Sequence, residues 1–227
     1  MKRIVQPELL DALPPADPRA VRSRHDLRRV NSWMRNHSIM AEALKNNLNG
    51  HTPKKITELG AGDGNFLLQV AQKFFSRRPG TNVVLVDLQK NVSPETLVAF
   101  SKFGWRAEAI VADVFDRPQA SEEVVIANLF LHHFENERLV ELLQKISGCA
   151  KLFIAIEPRR SPLPLFFSRF LWAVGCNSIT RHDATISVQA GFLGEELSAL
   201  WPDKKNWRLA ERRAGRFSHL FIAQKKS

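Results

Sequence analysis

The chain has 227 residues, of which 44% are hydrophobic and 25% are charged, and its formal net charge is +10. This length is enough for one α/β domain with a full core and a small addition. Two cysteines, Cys149 and Cys176, exclude a disulfide framework and a cysteine-based metal cluster, so we expect a reducing cytoplasm. The N-terminal residues lack the apolar core of a signal peptide, and no uninterrupted apolar run approaches the ~18 residues of a membrane span.

The basic residues are scattered along the chain and do not form one long tail. A basic surface attracts nucleic acid, an anionic membrane or an acidic substrate, and charge alone does not choose among them. A solvated basic surface without any such partner explains the same composition.

A proline-rich arm and a helical region open the chain. From Val21 to Leu48 apolar residues recur at helical intervals, which predicts one or two amphipathic helices with a break near residues 36–38. We expect residues 1–50 to form an extension that packs on the main domain at 51–227, either as part of a lid or only as packing.

A glycine-rich turn connects a predicted strand to a predicted helix at residues 56–67. Gly60, Gly62 and Gly64 form the turn, and apolar residues then recur at helical spacing from Phe66 to Phe75. Glycine permits backbone angles closed to other residues and lets a ligand lie against bare backbone. The exposed N–H groups at the start of the helix favour polar or anionic ligand atoms.

The spacing of these glycines separates two classes of cofactor. The dinucleotide fingerprint is G-x-G-x-x-G, whereas this chain has G-x-G-x-G with Glu58 two residues before Gly60. A carboxylate at that place suits a ligand with an ammonium and a sulfonium group, and it repels a pyrophosphate. The pattern resembles motif I of the class I S-adenosylmethionine-dependent methyltransferases. A strand–helix turn that holds no ligand is the alternative.

Two further acids follow predicted strands. The apolar run at 82–87 suits a parallel strand buried on both faces, and it ends in Asp87, where a carboxylate can accept hydrogen bonds from ribose hydroxyls. A third strand at 106–111 leads into Asp113 and Val114. The resemblance implies that Asp113 meets the adenine amino group and that a neighbouring backbone N–H meets a ring nitrogen. A solvated acid at the end of a strand is the alternative for Asp87.

A pair of histidines follows the predicted fourth strand, Glu123 to Asn128. An apolar turn with a His-His pair resembles the same region of small-molecule methyltransferases. The Asn/Asp-Pro-Pro-aromatic signature of enzymes that methylate exocyclic amines of bases is absent. No Cys or Glu near the pair has ligand spacing, so we predict no metal site there. His133 contacts substrate or, alternatively, caps the next helix.

The region after the fifth strand, Lys151 to Glu157, is the most individual part of the chain. Residues 162–175 are unusually apolar yet too short to span a membrane, so they form a core helix, a lid over an apolar substrate or an interfacial segment. The polar stretch 180–192 is expected near the substrate mouth, or else as a loop or helix cap. The substrate-side insertion is predicted at 158–195.

Two alternating segments, 207–213 and 218–224, predict a terminal hairpin. After five βα units such a hairpin completes the seven-stranded sheet of the resembled family, whose last strand is antiparallel. The predicted fold is therefore α/β: a Rossmann-like three-layer sandwich with a mostly parallel seven-stranded sheet, a C-terminal antiparallel hairpin and an N-terminal helical extension.

The resemblance implies a cofactor, S-adenosyl-L-methionine, which leaves as S-adenosyl-L-homocysteine. It assigns the following residues to cofactor binding: Glu58, Gly60, Ala61, Gly62, Gly64, Asp87, Leu88, Asp113, Val114 and Asn128. For removal of a proton from the acceptor the candidates are His133 and His182, with Glu157 as a further one, because a histidine can act as a base near neutral pH. Candidates for contact with the acceptor are Arg181, Asp183 and Trp33.

We expect methyl transfer by in-line displacement to a small or lipid-like acceptor, of phenolic or quinone type. Peripheral contact with a membrane is compatible with the apolar segment. An RNA methyltransferase is the second enzymatic hypothesis, and the charge is its only support. A methyltransferase-like binding protein without turnover is a third hypothesis. The presence of Glu58, Asp87 and Asp113 weighs against it, because a site that has lost its activity need not keep these acids. A dinucleotide-dependent dehydrogenase fits the glycine spacing least.

Overall fold

The computed structural model describes residues 1–14, 16–74, 79–116 and 121–226. Its strands are β1 (Lys55–Leu59), β2 (Asn82–Asp87), β3 (Arg106–Val111), β4 (Glu122–Asn128), β5 (Ala150–Pro158), β6 (Trp207–Ala214) and β7 (Ser218–Lys225). They form one seven-stranded sheet in the order β3-β2-β1-β4-β5-β7-β6. Neighbouring strands among β1 to β5 are parallel, whereas β7 is antiparallel to both β5 and β6. The predicted fold class is thus confirmed.

Helices cover both faces of this sheet. They are α1 (Pro18–Met34), α2 (Asn36–Leu48), α3 (Asn65–Phe74), α4 (Pro94–Ser101), α5 (Asn136–Cys149), α6 (Pro162–Ser168), α7 (Ser178–Ala190) and α8 (Glu196–Leu200). Short 3-10 helices occur at Leu131–His133, Leu171–Val174 and Lys204–Asn206. The predicted end of α3 at Phe75 lies outside the described residues.

The N-terminal extension begins and bends for local reasons. Asp17 caps α1 by accepting a hydrogen bond from the Arg19 N–H, and Pro18 occupies the first helical position. The break predicted near residue 36 lies at Arg35, whose φ of 59° is left-handed and ends α1. α2 then packs in the same core as the sheet, with Met40 and Leu44 fully buried.

One helix differs from the sequence-based expectation. The polar stretch 180–192 was assigned no helix, yet α7 runs through most of it. Asn177 caps the helix by accepting a hydrogen bond from the Thr180 N–H at 2.8 Å. Two of the buried positions of α7 are polar, Thr180 and Asp183, which hides its helical periodicity from an apolar pattern.

The core has two parts, one on each face of the sheet. One face packs against α2, α3 and α4, and the other packs against α5 and the C-terminal tryptophans Trp201 and Trp207. The inner strands are buried on both faces, as in Val83 to Val86 of β2, because helices cover the sheet there. The edge strand β3, which contains Arg106 and Glu108, is mostly exposed. None of the described helices combines the length and the apolarity needed to cross a bilayer.

Candidate active site

A cavity of about 520 Å³ opens at the carboxyl ends of the parallel strands. In α/β sheets this edge is where ligands bind. Its lining includes most of the residues predicted from the sequence: Glu58, Gly60, Ala61, Gly62, Asp87, Leu88, Asp113, Val114, Asn128 and His133. The glycine turn, the strand-end acids and one candidate base therefore share a single cavity.

The glycine turn needs glycine for two different reasons. Gly60 has φ +65°, and a Cβ there would lie 2.2 Å from the ring of Phe130. Gly62 has φ +56°, and a Cβ there would meet no described atom within 4 Å. Gly60 is thus required by packing, whereas Gly62 presents bare backbone to open space. This is the opening a ligand needs in order to approach the turn closely.

Glu58 is a buried acid with an unpartnered oxygen. It lies at 1% exposure near the end of β1, and its Oε2 atom has no hydrogen-bond partner among the described atoms. Burial, and then the charges of Asp63 and Asp87, raise the pKa of the Glu58 carboxyl well above its usual range. A cation placed beside Glu58 would satisfy the free oxygen and favour the ionised form.

Asp87 and Asp113 are held by local backbone bonds. Asp87 Oδ2 accepts from the Gly62 N–H at 2.8 Å, and Oδ1 accepts from the Gln89 N–H at 2.9 Å. Burial raises the pKa of Asp87 despite these bonds. Asp113 Oδ1 accepts from the Phe115 N–H at 2.9 Å. Each carboxylate oxygen has two lone pairs, so the bound oxygens keep acceptor capacity for a ligand.

The turn after β4 is organised by one buried carboxylate. Glu157, at the end of β5, accepts from the N–H groups of Phe130 at 3.1 Å, Leu131 at 2.8 Å and His132 at 3.3 Å. Its Oε2 also lies 2.8 Å from His132 Nδ1. These bonds explain why the two histidines lie in a 3-10 helix at the cavity wall. Through these bonds to residues 130–132, Glu157 holds this part of the cavity wall in place.

His132 lies between two carboxylates. Its Nδ1 faces Glu157 and its Nε2 lies 3.3 Å from Glu8 Oε1. Burial opposes the charge, but the hydrogen bonds to Glu157 and Glu8 outweigh it and raise the pKa of His132 to about 9. Burial likewise opposes ionisation of Glu8, but His132 and its other partners lower the pKa of Glu8 to about 2. The two carboxylates thus favour the protonated form of the buried His132 ring.

Glu8, His132 and His133 also have the spacing of metal ligands, since one ligand atom of each lies within 4.8 Å of the others. The sequence predicts no metal site because no Cys or Glu near the histidines has ligand spacing along the chain. The fold brings Glu8 there from 124 residues away. In the structure both ring nitrogens of His132 face carboxylates.

The N-terminal arm and α1 cover the cavity. Asp11 Oδ2 lies 3.3 Å from His133 Nδ1, and the Asp11 carbonyl accepts a hydrogen bond from the Gln89 side chain at 3.3 Å. From α1, Arg28 lies 3.4 Å from Asp63 of the glycine turn. Asn31 of α1 lines the cavity, and its buried Oδ1 has no partner among the described atoms. The extension is therefore a wall of the site.

Six of the predicted site residues are described by the structure but do not belong to the cavity lining: Gly64, Trp33, Glu157, Arg181, His182 and Asp183. Trp33 is exposed on α1, and Arg181 and His182 are exposed on α7. Asp183 is buried and accepts from the N–H groups of Leu9 and Leu10 at 2.9 and 3.0 Å. Asp183 therefore fixes the arm, and its neighbours face away from the cavity.

Several lining residues were not predicted from the sequence: Glu8, Asp11, Arg28, Asn31, Phe115, His132, Arg138 and Ser187. The arm and α1 carry no motif that indicates a site. Phe115 and Arg138 form a cation–π pair, with the guanidinium carbon 3.6 Å from the ring centroid, beside the predicted adenine contacts. His132 and Phe115 had a signal in the sequence, because each stands next to a predicted site residue.

Residues 56–151 match the model of a methyltransferase domain. None of the curated proteins compared with the chain matches it.

Solved structures show the same fold at low sequence identity. The chain is similar to the plantazolicin methyltransferase BpumL in complex with SAH, with TM-score 0.68, 13% identity and coverage of 93% of this chain and 92% of that chain. It is similar to an O-methyltransferase family protein from Burkholderia thailandensis, with TM-score 0.62, 18% identity and coverage of 94% and 62%. It is also similar to magnesium protoporphyrin IX methyltransferase (ChlM) from Synechocystis PCC 6803 with bound SAH, with TM-score 0.57, 13% identity and coverage of 85% and 83%. The chain therefore has the Rossmann-like fold of these methyltransferases, and residues 56–151 match a methyltransferase domain.

Proposed function

We propose that the chain transfers the methyl group of S-adenosylmethionine to a small or lipid-like acceptor with a phenolic or quinone-type hydroxyl. The observation that carries the proposal is the shared cavity, which joins the glycine turn and three acids to His133. A volume of about 520 Å³ is in the range of small-molecule sites.

The residues present fit the cofactor. The free, buried oxygen of Glu58 would face the cationic part of the cofactor, and the open backbone at Gly62 would admit it. Asp87 would bind the ribose hydroxyls, and Asp113 with the Val114 backbone would bind the adenine. Ala61, Leu88 and Asn128 would complete the cofactor wall. When bound, S-adenosylmethionine supplies a methyl group on a sulfonium, which is a good leaving group.

The chain's own residues would position the acceptor and take its proton. His133 lines the cavity, and Asp11 beside its Nδ1 would orient the ring so that Nε2 accepts the acceptor's hydroxyl proton. The adjacent ring of His132, whose centroid is 4.3 Å from that of His133, is held by Glu8 and Glu157 and would keep the His133 ring in place. Holding the nucleophile in line with the methyl group supplies several kcal/mol of the barrier lowering by position alone.

A small acceptor has more support than RNA. Two of the similar structures are named for plantazolicin and magnesium protoporphyrin IX, and neither name refers to a nucleic acid. The cavity is covered by the arm and α1, which would obstruct a large polymer. For methylation of RNA the support is the net charge of +10. A binding protein without turnover would retain the cofactor pocket but label no acceptor.

One labelling experiment separates these hypotheses. The protein is incubated with methyl-labelled S-adenosylmethionine and a cell extract divided into RNA, protein, lipid and small-molecule fractions. We expect label in the lipid or small-molecule fraction, and a Gly62→Arg variant serves as the control without cofactor binding. Label in RNA that decreases steeply with salt would support the RNA hypothesis. Tight cofactor binding with no label in any fraction would support the binding protein.

A further inference from the structure

An exposed apolar surface lies on α6 and the 3-10 helix that follows it. Six large side chains within twelve residues are between 41% and 59% exposed: Leu163, Phe166, Phe167, Phe170, Trp172 and Val174. We name these six residues the aromatic surface. The ring of Phe166 contacts the rings of Phe170 and Phe167, with centroids 4.7 Å and 5.7 Å apart. Single exposed apolar residues are common, but a contiguous group marks a contact with another body.

The orientation of α6 is opposite to that of an ordinary surface helix. Its buried residues are Pro164 and Ser168, whereas Phe166 and Phe167 point outward. Ser168 Oγ lies 3.2 Å from Thr185 Oγ1 of α7, so the polar side is the one that packs inward. A surface helix normally buries its apolar side against the core and exposes its polar side to water. The phenylalanines are therefore exposed although the helix is firmly packed.

The border of the aromatic surface is basic. The sequence has no Asp or Glu from Pro158 to His182. Arg169 is exposed within the surface, and Arg22 is exposed beside it, 3.3 Å from the Gly175 carbonyl. Arg216 is also exposed and precedes Phe217, whose ring packs against Phe167 at 5.5 Å. These arginines surround an apolar centre with positive charge.

Acids close to this border are already paired with arginines. Asp17 lies 2.8 Å from Arg19, and the buried Asp26 lies 2.7 Å from Arg29. The free charge presented around the aromatic surface is therefore positive.

We propose that the aromatic surface docks on an anionic lipid bilayer, with the aromatic rings in the headgroup region and the arginines on lipid phosphates. Aromatic side chains favour this interfacial depth, and neighbouring basic residues add attraction to anionic lipids. A second copy fits less well, because a symmetric contact would bring the arginines of both copies together. α7 connects the aromatic surface to the cavity, because it contacts α6 through Thr185 and contributes Ser187 to the cavity lining. Docking would therefore also place the cavity near a lipid-like acceptor in the bilayer. That role in acceptor delivery rests on the proposed function, whereas the docking does not.

The test is co-sedimentation of the full chain with vesicles of phosphatidylcholine alone and with vesicles that also contain phosphatidylglycerol. We expect the bound fraction to rise at least about tenfold with the anionic lipid and to fall with salt.

The triple variant Phe166→Ser, Phe170→Ser, Trp172→Ser should lose at least about tenfold in vesicle affinity. Arg169→Glu with Arg216→Glu should abolish the preference for anionic lipid. Val98→Ser with Val111→Ser, which changes two exposed apolar residues elsewhere, is the matched control and should bind as the wild type does.

Folding and function are measured in parallel. Circular dichroism and calorimetry with S-adenosylmethionine should show that the triple variant keeps its fold and its cofactor affinity. Equal sedimentation of the wild type with both kinds of vesicle would overturn the docking. So would a wild-type dimer in solution that the triple variant converts to monomers, since the surface would then be a subunit interface. Vesicle binding without any methyl transfer would leave the docking intact and contradict the proposed function instead.

Discussion

At the scale of single residues, the proposed cofactor site consists of bare backbone and acids. Gly62 faces open space with a left-handed φ, and its N–H is bound by Asp87. We predict that Asp87→Ala and Gly62→Arg each abolish binding of S-adenosylmethionine. Loss of charge-assisted bonds costs about 1.5–3 kcal/mol each, and an arginine at residue 62 would fill the opening.

Calorimetric titration measures this prediction, with circular dichroism to check the fold. Asp203→Ala, which removes an acid distant from the cavity, is the control and should bind the cofactor normally. Unchanged affinity in both Asp87→Ala and Gly62→Arg would remove the cofactor from this cavity.

The raised pKa of Glu58 leads to a prediction about how the stability of the fold depends on pH. Its raised pKa, caused first by burial and then by Asp63 and Asp87, means that folded protein holds this proton more tightly than unfolded protein. The resulting stability is fully present below about pH 4.5 and is lost as the pH rises through the folded pKa. Glu58→Gln, which stays neutral, should therefore be more stable than the wild type at alkaline pH and should bind S-adenosylmethionine more weakly.

Calorimetry in two buffers with different ionisation enthalpies tests the same point. Binding of a cation should drive Glu58 to ionise, so the wild type should release a proton and Glu58→Gln should not. Equal proton release by the two proteins would show that Glu58 does not face the cationic group.

His133 is the predicted base. We predict that His133→Ala lowers turnover by about 10²–10⁴-fold with little change in cofactor affinity, because general base catalysis contributes that much. The measurement is the rate with the identified acceptor beside calorimetry with the cofactor. His51→Ala removes an exposed histidine that pairs with Glu123 and is the control. A rate equal to that of the wild type would exclude His133 from the mechanism.

At the scale of elements, the N-terminal arm is held to the cavity wall by a charge pair. Glu8 contacts His132, and the Leu9 and Leu10 N–H groups bind Asp183. The pKa of His132 is raised to about 9, so its pairing stabilises the fold fully below about pH 6.5 and is lost as the pH rises through about 9. The pKa of Glu8 is lowered to about 2, so its contribution is present above about pH 4.5 and is lost as the pH falls through about 2.

This pH window predicts when the arm loosens. At about pH 6, the amide hydrogens of Leu9 and Leu10 should exchange faster in Glu8→Gln than in the wild type. At about pH 10, this difference in exchange rate should be smaller, because His132 is then neutral in the wild type. Hydrogen exchange read by mass spectrometry measures both proteins at each pH. Ser38→Ala, a change outside the arm, is the control. A difference that is independent of pH would mean that the Glu8–His132 charge does not hold the arm.

At the scale of the whole molecule, a buried polar chain joins the extension, the site and the hairpin. Asn36 of α2 donates to Asn128 Oδ1 at 3.0 Å and accepts from Ser218 Oγ at 2.7 Å. Asn36→Ala leaves two buried groups unpaired, and each costs about 1–3 kcal/mol. We predict a decrease in melting temperature of about 4 °C or more, at about 2–4 °C per kcal/mol for a chain of this size.

Scanning calorimetry measures this change. Asn46→Ala, at an exposed position of the same helix, is the control for helix propensity and should melt within about 1 °C of the wild type. Melting of Asn36→Ala at the wild-type temperature would show that the buried chain of bonds does not contribute.

Much of the fold could be predicted from sequence because its signals are local. Apolar runs that end in Asp87 and Asn128 specify parallel strands, and alternation in 207–213 specifies the hairpin. The part of the site that lies on strand ends follows from this, since parallel strands end at one edge. Glu8 could not be predicted, because it reaches His132 from the far end of the chain by tertiary packing alone. α7 was missed because polar Thr180 and Asp183 occupy its buried side.

The place of β7 has a consequence for synthesis. β7 is the last strand of the sheet in the chain, yet it lies between β5 and β6. A ribosome therefore delivers β5 and β6 before the strand that separates them, and β5 keeps an unpaired edge until then. Such edges recruit foreign strands. A pause in translation just before residue 218 should accordingly leave nascent chains prone to aggregate.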